Sequence, residues 1–362
     1  MIQGEGYHEE GKRAFRPPGY PYFLAVLYTL FGAHLLPVCL VQSILAVFTC
    51  LFIFLLGKGL ASERTGLWAA GFFTVYPQFI RYPGNLFVET LFIFLFIFAL
   101  LFLFDTGQKP SYAKSIMAGI LLGLSALVRE VALFMILPIL LWAILMMKDS
   151  LEKKQWRKNL SVFLMFFALT LSPWTLRNYF LFHRFIPIST NGGFNFRMGN
   201  NPQATGGYNS DIDANIKWPH PLSNESPEEL LSLEIEATKT GYNNGINFIF
   251  QNPGHFFQLA LKKFVLLWRP PVYKLNLRGN FNETIFRIFW LINYLVLLIF
   301  AIPGMWISIK KFGREWSLFH LLLFSVTGLH MLVFSATRYR LPMIPLLMIF
   351  AALTLDTAWT HR

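Results

Sequence analysis

Charge is what this sequence has least of. Aspartate, glutamate, lysine and arginine make up 14% of its 362 residues, well below the roughly 25% of ordinary soluble domains. That shortage excludes an ordinary water-facing domain. Cysteine is almost missing too, and eleven helical steps separate Cys39 from Cys50, which holds them roughly 16 Å apart along one helix axis. They cannot pair with each other, so there is no disulfide framework and the redox compartment is not legible. No cysteine and histidine cluster, phosphate-cradling glycine loop or HExxH occurs, and His34, His183, His220, His255, His320 and His330 have no metal-ligand spacing. The expectation is no catalytic metal and no cofactor.

What is abundant is apolar length. The runs "VQSILAVFTCLFIFLLGKGL" (41–60) and "LFVETLFIFLFIFALLFLF" (86–104) are nearly uncharged, and about twenty such residues cross a bilayer core. With 55% hydrophobic residues and a mean hydropathy of +0.48, the chain reads as an all-α polytopic membrane protein. Spans are expected at 36–57, 65–80, 85–104, 115–128, 131–147, 158–180, 283–309, 316–335 and 340–358.

The net charge of +12 would suggest nucleic acid in a soluble protein. Here the lysines and arginines flank spans and set orientation, so no nucleic-acid partner is expected. The basic loops "GKGLASERTG", "DTGQKPSYAK", "KDSLEKKQWRKN" and "KKFGRE" read as cytoplasmic. The N-terminus, "RYPGN", Arg129-Glu130, the stretch 178–282 and "TRYR" then fall outside, with a cytoplasmic C-terminus, in a multi-pass plasma-membrane protein. Trp156, Trp268, Trp306 and Trp316 stand near span ends, as interfacial anchors do.

Four regions follow: an outside remnant loop (1–19), a bundle of about six spans with a juxtamembrane helix (20–180), an outside loop region (181–282), and about three closing spans (283–362). In "AFRPPGYPYFLA" (14–25) the prolines stiffen the chain as it enters a short helix after Pro21, expected along the outer membrane surface. A charged outside N-terminus with no signal peptide or span in residues 1–19 leads to the expectation of a further helix upstream, the alternative being a short tail carried across by the first span. The loop region is rich in turn formers; Ser226 with Glu229 forms a capping box, and Pro253 opens an amphipathic helix.

A family likeness rests on "AFRPPGYPYFLAVLYTLFG", "YPQFIRYPGNLFVETLF", "LGLSALVRE", "RNYFLFHRFIPISTNGGFNFRMGNNPQATGGY" and "RYRLPMIPLL". In this order they resemble the bacterial relatives of the dolichyl-phosphate-mannose protein mannosyltransferases, glycosyltransferase family 39 with the GT-C fold, to which the lipid A aminoarabinose transferases are also similar. The resemblance implies a GT-C-like bundle. It implies an inverting glycosyltransferase that moves one hexose or pentose from a polyprenyl-phosphate carrier to a lipid, glycan or protein acceptor outside. Its partners would be the membrane lipid carrier and that acceptor. Family members also carry an acidic base upstream of the elbow, a position before Met1 here, so this chain as numbered is expected to lack it, and an incomplete, inactive enzyme is one of the readings that stay open.

Such chemistry needs a carboxylate for the acceptor proton and cations for the leaving phosphate. Glu89 is the catalytic candidate: a carboxylate within a span is costly and functional by default, and the family has an acid at the matching place. The alternative is a structural pair with Arg81 or Arg129. Glu5, Glu9 and Glu10 read as a solvated tail, and Asp211 and Asp213 as loop acids. For the donor phosphate the candidates are Arg16, Arg129, Arg338, Arg340 and Lys263, by fork geometry and permanent charge for the arginines; snorkelling or headgroup contact is the competing role. Asn191 and Asn200 are acceptor-side candidates in a stretch whose glycines a turn scaffold alone explains. Three other functions stay open: a lipid-carrier transporter or flippase, which would favour mid-membrane charge, a surface-polysaccharide polymerase or ligase, and a non-catalytic relative.

Overall fold

The computed structural model describes residues 7, 9, 11–108, 110–147, 153–209, 226–270 and 281–360. Glu5, Glu10, Asp211, Asp213 and His220 lie outside the described residues. The helices run α1 (Gly19–Phe31), α2 (Leu35–Leu60), α3 (Glu63–Val75), α4 (Pro77–Arg81), α5 (Val88–Gln108), α6 (Tyr112–Val128), α7 (Val131–Phe134), α8 (Ile136–Met147) and α9 (Lys153–Phe182). They continue as α10 (Gly192–Gly199), α11 (Pro227–Gln251), α12 (Pro253–Trp268), α13 (Phe281–Lys311), α14 (Ser317–Leu332) and α15 (Ile344–Thr360). Among the described residues the only extended pairing is an isolated bridge between Glu9 and Lys12.

The polarity of α2 is inverted relative to a water-soluble helix. Leu36, Leu40, Ile44, Val47, Phe48, Leu51 and Leu55 face outward, while Gln42 and Thr49 are buried. Gln42 accepts from the Tyr20 hydroxyl at 3.2 Å and donates to the carbonyls of Pro83 and Asn85 at 3.1 and 2.7 Å. An apolar exterior around a hydrogen-bonded polar interior is what a lipid solvent requires. At 26 residues, α2 is about 39 Å long, more than the bilayer core. The protein is a multi-pass membrane protein: among the described residues five helices are long and apolar enough to cross, at 35–60, 88–107, 153–182, 283–311 and 337–360.

The helices at the other expected spans fall short of the length that a bilayer crossing needs. The run 65–80 breaks into α3 and α4 because Tyr76, with ψ 116°, precedes Pro77, and a residue before proline is driven from helical geometry. α6 and α14 have 17 and 16 residues, about 25 Å of helix. The run 131–147 is divided into α7 and α8 at Met135.

α5 and α15 form the centre. Phe92, Phe96, Ile97, Ala99 and Leu100 of α5, and every residue from Ile344 to Leu353, are buried, as befits helices apolar all round. α6 lies against α9 through Gly119 and Gly123, a small-xxx-small pair: a Cβ at Gly119 would stand 2.5 Å from the Phe163 carbonyl oxygen. At one end of the bundle, Ser62 and Thr65 donate to Asp356 at 2.5 and 2.9 Å, tying the start of α3 to the end of α15. Trp156 and Trp316, expected at the lipid interface, are instead core residues at this end, 6% and 2% exposed. Trp156 packs edge-on against Trp142. Trp306 remains outward-facing. At the opposite end α5 and the turn Thr337–Met343 begin, α6 finishes, and α10, α11 and α12 are gathered; this is the site end.

The expected starts of the loop-region helices hold. Ser226 and Glu229 form both bonds of the capping box, and α12 opens at Pro253. α1 ends at Gly32, whose φ of 77° suits glycine, and it presents Tyr22, Val26, Leu30 and Phe31 outward.

Candidate active site at one end of the bundle

α5 and α6 are sequential and packed together, so the first turn of one meets the last turn of the other. Glu89 lies in that first turn, and Arg129 follows α6 in extended geometry. Arg129 Nη1 reaches Glu89 Oε1 at 3.1 Å, with side chains 18% and 5% exposed. Of the two partners left open for Glu89, the fold uses Arg129; Arg81 pairs with Glu283 at 3.1 Å.

Arg129 also lies over the rings of Phe92 and Tyr339, 5.8 and 5.5 Å from their centroids. Arg338 stands 5.4 Å from the same Tyr339 ring and within electrostatic range of Glu89. Two guanidinium groups are thus gathered on one phenol beside one carboxylate, a locally positive arrangement. Tyr82 of "RYPGN" stands within range of all three charges, and burial pushes its phenol up, keeping it a neutral hydroxyl.

The next residue faces a different set. Glu130 accepts from Ser189 Oγ at 2.6 Å and from Asn191 Nδ2 at 2.8 Å, both on Oε1. Asn191 is held in turn by Asn195 Nδ2 at 3.2 Å. Burial pushes the Glu130 carboxyl above the ordinary range, against the opposing pull of Ser189, Asn191 and Arg129. The Tyr7 and Tyr242 phenols lie within its electrostatic range.

The remaining candidates are spread around this centre. Arg340 is fully buried, stacked on Tyr294 at 3.9 Å, and its Nη1 donates to the carbonyls of Leu267 and Arg269 at 3.0 and 2.7 Å. It thereby satisfies the carbonyl end of α12, a helix-terminus role; its Nε and Nη2 are buried and find no hydrogen-bond partner among the described residues. Arg16 is exposed and paired with Glu9 at 2.8 Å. Asn200 donates to the carbonyls of Phe196 and Leu332 at 2.9 and 2.8 Å.

Lys263 turns inward, fully buried, with Nζ 3.0 Å from Asn200 Oδ1 and 3.5 Å from the Leu332 carbonyl. Its partners are protein groups. Burial lowers its pKa from 10.5 to about 8. Between those two values the unfolded chain holds a proton that the folded one has released, so this residue's contribution to stability rises with pH from about 8 to 10.5. We expect the thermal midpoint of the parent minus that of Lys263→Met to increase across this window. Parallel melts at stepped pH check it.

Residues 15–175 match the family model described as dolichyl-phosphate-mannose-protein mannosyltransferase. The fold is GT-C. No curated protein matches the chain. Among solved structures it is similar to the apo oligosaccharyltransferase of Archaeoglobus fulgidus, with a TM-score of 0.57 and 13% identity, over 98% of this chain and 44% of that one. The same archaeal enzyme, AglB, in complex with an inhibitory peptide and a dolichol-phosphate, gives 0.55 and 14%, again over 98% and 44%. Apo ArnT from Cupriavidus metallidurans gives 0.41 and 13%, over 97% and 70%. The chain thus spans less than half the length of the oligosaccharyltransferase it matches.

On this GT-C frame, sequence reasoning missed two carboxylates. Glu130 carried a signal in its neighbour Arg129, but its partners come from a loop about sixty residues on; Ser189 and Asn191 are 59 and 61 positions away. Glu234 carried none, being one acid among several on α11. It is completely buried and accepts from the backbone N–H of Arg13 and Ala14 at 2.7 and 3.0 Å and from Thr190 Oγ1 at 2.5 Å. Arg177 Nη1 adds a bond to the Arg13 carbonyl at 2.9 Å. The elbow before α1 is therefore fastened to α9, α11 and the loop between them. Its stiffness comes from this carboxylate as well as from proline.

Proposed function

We propose that this chain transfers a sugar, with inversion, from a polyprenyl-phosphate carrier to a lipid, glycan or protein acceptor at the outer face of the plasma membrane. The observation that carries the reading is the meeting of Arg129 and Arg338 on Tyr339 beside the carboxylate of Glu89. A surplus of fixed positive charge at the end of a lipid-facing bundle suits the phosphate of a carrier whose chain stays in the membrane, and suits it more as the bond to the sugar breaks. The family match over 15–175 supports the reaction class. The AglB complex with a dolichol-phosphate supports the carrier class.

In this reading Arg129 and Arg338 receive the leaving phosphate, and Glu89 holds Arg129 in place. Arg340 and Lys263 add positive charge from behind, and Arg16 approaches from the elbow. Asn191 and Asn200 line the acceptor side. The basic loops orient the far end, with the C-terminus, to the cytoplasm.

The test is reconstitution of the full chain in phospholipid vesicles with a panel of undecaprenyl-phosphate hexoses and pentoses and an envelope lipid extract. Release of free undecaprenyl phosphate with sugar appearing on an acceptor is expected, and Arg338→Ala should slow it at least tenfold. Carrier that crosses the bilayer with its sugar intact would establish a lipid-carrier transporter instead.

A further inference from the structure

Arg340 carries a buried charge that the fold leaves without a counter-charge. Its side chain is fully buried, a guanidinium keeps its proton, and no ion pair among the described residues engages it. Both N–H groups of Nη1 go to the carbonyls of Leu267 and Arg269, and the ring of Tyr294 covers the guanidinium at 3.9 Å. What is left is the edge formed by Nε and Nη2, buried and with no hydrogen-bond partner among the described residues. The N–H bonds of that edge run parallel, the fork by which arginine grips two oxygens of one anion.

Two more orphaned donors stand at the same place. Tyr76, just before α4 and 2% exposed, lies beside Trp290 of α13 and within electrostatic range of Arg340 and Tyr294. The Tyr76 hydroxyl and Trp290 Nε1 are both buried with no hydrogen-bond partner among the described residues. Tyr294 is not free to serve them, since its hydroxyl donates to the Trp268 carbonyl at 2.6 Å. Buried polar groups are nearly always bonded, yet four unbonded ones gather here around one cation. The place is not the donor-phosphate site. In the 3₁₀ turn Thr337–Met343 residues two apart diverge by about 120°, so Arg338 turns to Tyr339 and Arg340 to Tyr294.

We propose that the Nε–Nη2 edge of Arg340, with Trp290 Nε1 and the Tyr76 hydroxyl, binds a phosphate group other than that of the sugar donor. A carboxylate would fill the fork alone; the indole and phenol donors call for a third oxygen, which a tetrahedral anion supplies. Arg340, Tyr76 and Tyr294 are enclosed, whereas Trp290 is half-buried on α13 among the outward-facing Ile288, Phe289 and Ile292. The approach is therefore from the lipid side. A phospholipid headgroup and free phosphate offer the same chemistry from two sources. Once bound, the phosphate offsets the positive charge that Arg340 otherwise lends the transfer site from behind. The site stands whether or not the chain transfers sugar.

The experiment measures binding to the delipidated full chain in detergent, by native mass spectrometry, in an Arg338→Ala background that weakens the donor-phosphate site. The probes are dioleoyl phosphatidylglycerol, dioleoylglycerol, which lacks the phosphate, and inorganic phosphate. Saturable binding of one phosphatidylglycerol and none of dioleoylglycerol is expected. Trp290→Phe keeps the ring and removes only the N–H, so it should weaken that binding at least tenfold, the effect of one hydrogen bond to a charged group. Arg340→Lys keeps the charge without the fork and should abolish it. Displacement of the lipid by inorganic phosphate supports a site open to the free anion, and retention of the lipid supports a headgroup site. Equal affinity in Trp290→Phe, equal binding of dioleoylglycerol, or binding of no probe overturns the proposal. Should Arg340→Lys fail to fold, because Arg340 also closes α12, Trp290→Phe and Tyr76→Phe decide.

Discussion

Arg129→Ala should destabilise the protein by about 3–5 kcal/mol, the cost of leaving one member of a buried ion pair without the other. Glu89 has a single ion-pair partner among the described residues, and its side chain is 5% exposed. Truncating Arg129 strands that carboxylate and also removes the cation from the faces of Phe92 and Tyr339. Replacing both partners by apolar residues of similar volume, Glu89→Leu with Arg129→Met, should return stability to within about 1 kcal/mol of the parent, because desolvation and attraction vanish together. Thermal unfolding in detergent, followed by a thiol-reactive dye at the half-buried Cys39 and Cys50, measures both. Transfer activity of the same double variant separates the two roles open for Glu89. A stable but inactive protein means that at least one of the two charges is used in the reaction. A stable and active one means that the pair is a brace between α5 and α6.

The second large effect is expected at Glu234→Gln. The amide keeps one acceptor oxygen but turns an N–H₂ toward backbone donors, so at least one of the Arg13 and Ala14 amides loses its partner. Hydrogen bonds to a charged group contribute about 1.5–3 kcal/mol each, and an orphaned buried donor adds its own desolvation cost. A loss of about 3 kcal/mol follows, roughly a hundredfold in the local opening equilibrium. Hydrogen exchange at the amides of Arg13 and Ala14 should accelerate by about that factor, with α13 and α14 unaffected because they share no bond with Glu234. Equal protection in both proteins would mean that the elbow is held without Glu234, by its prolines and by the Arg177 and Thr190 bonds to the Arg13 and Ala14 carbonyls.

Glu234 also shows where reading a sequence stops. In the pattern of α11 it is one acid among Glu228, Glu229, Glu234 and Glu236. Glu229 was legible because a capping box is a local motif, closed within three residues. Glu234 was not, because its partners lie about 220 positions away. The tryptophans divide in the same way. Proximity to a span end was readable for Trp156 and Trp316, whereas their burial against Trp142 and Phe350 depended on how separate helices pack together.

What the sequence by itself determined is the class of solvent, the order of the apolar helices, most of their ends and the likeness to a glycosyltransferase family. These depend on local quantities: a run of apolar residues, a rise of about 1.5 Å per residue, and proline or glycine at a boundary. Only the tertiary structure decided that Glu89 takes Arg129 rather than Arg81, that Lys263 turns inward to Asn200, and that Glu130 is held by Ser189 and Asn191. Charge pairing in a low-dielectric interior is settled by which helix ends are brought together. That is set by the packing of α5, α6 and α15, not by the spacing of any one segment.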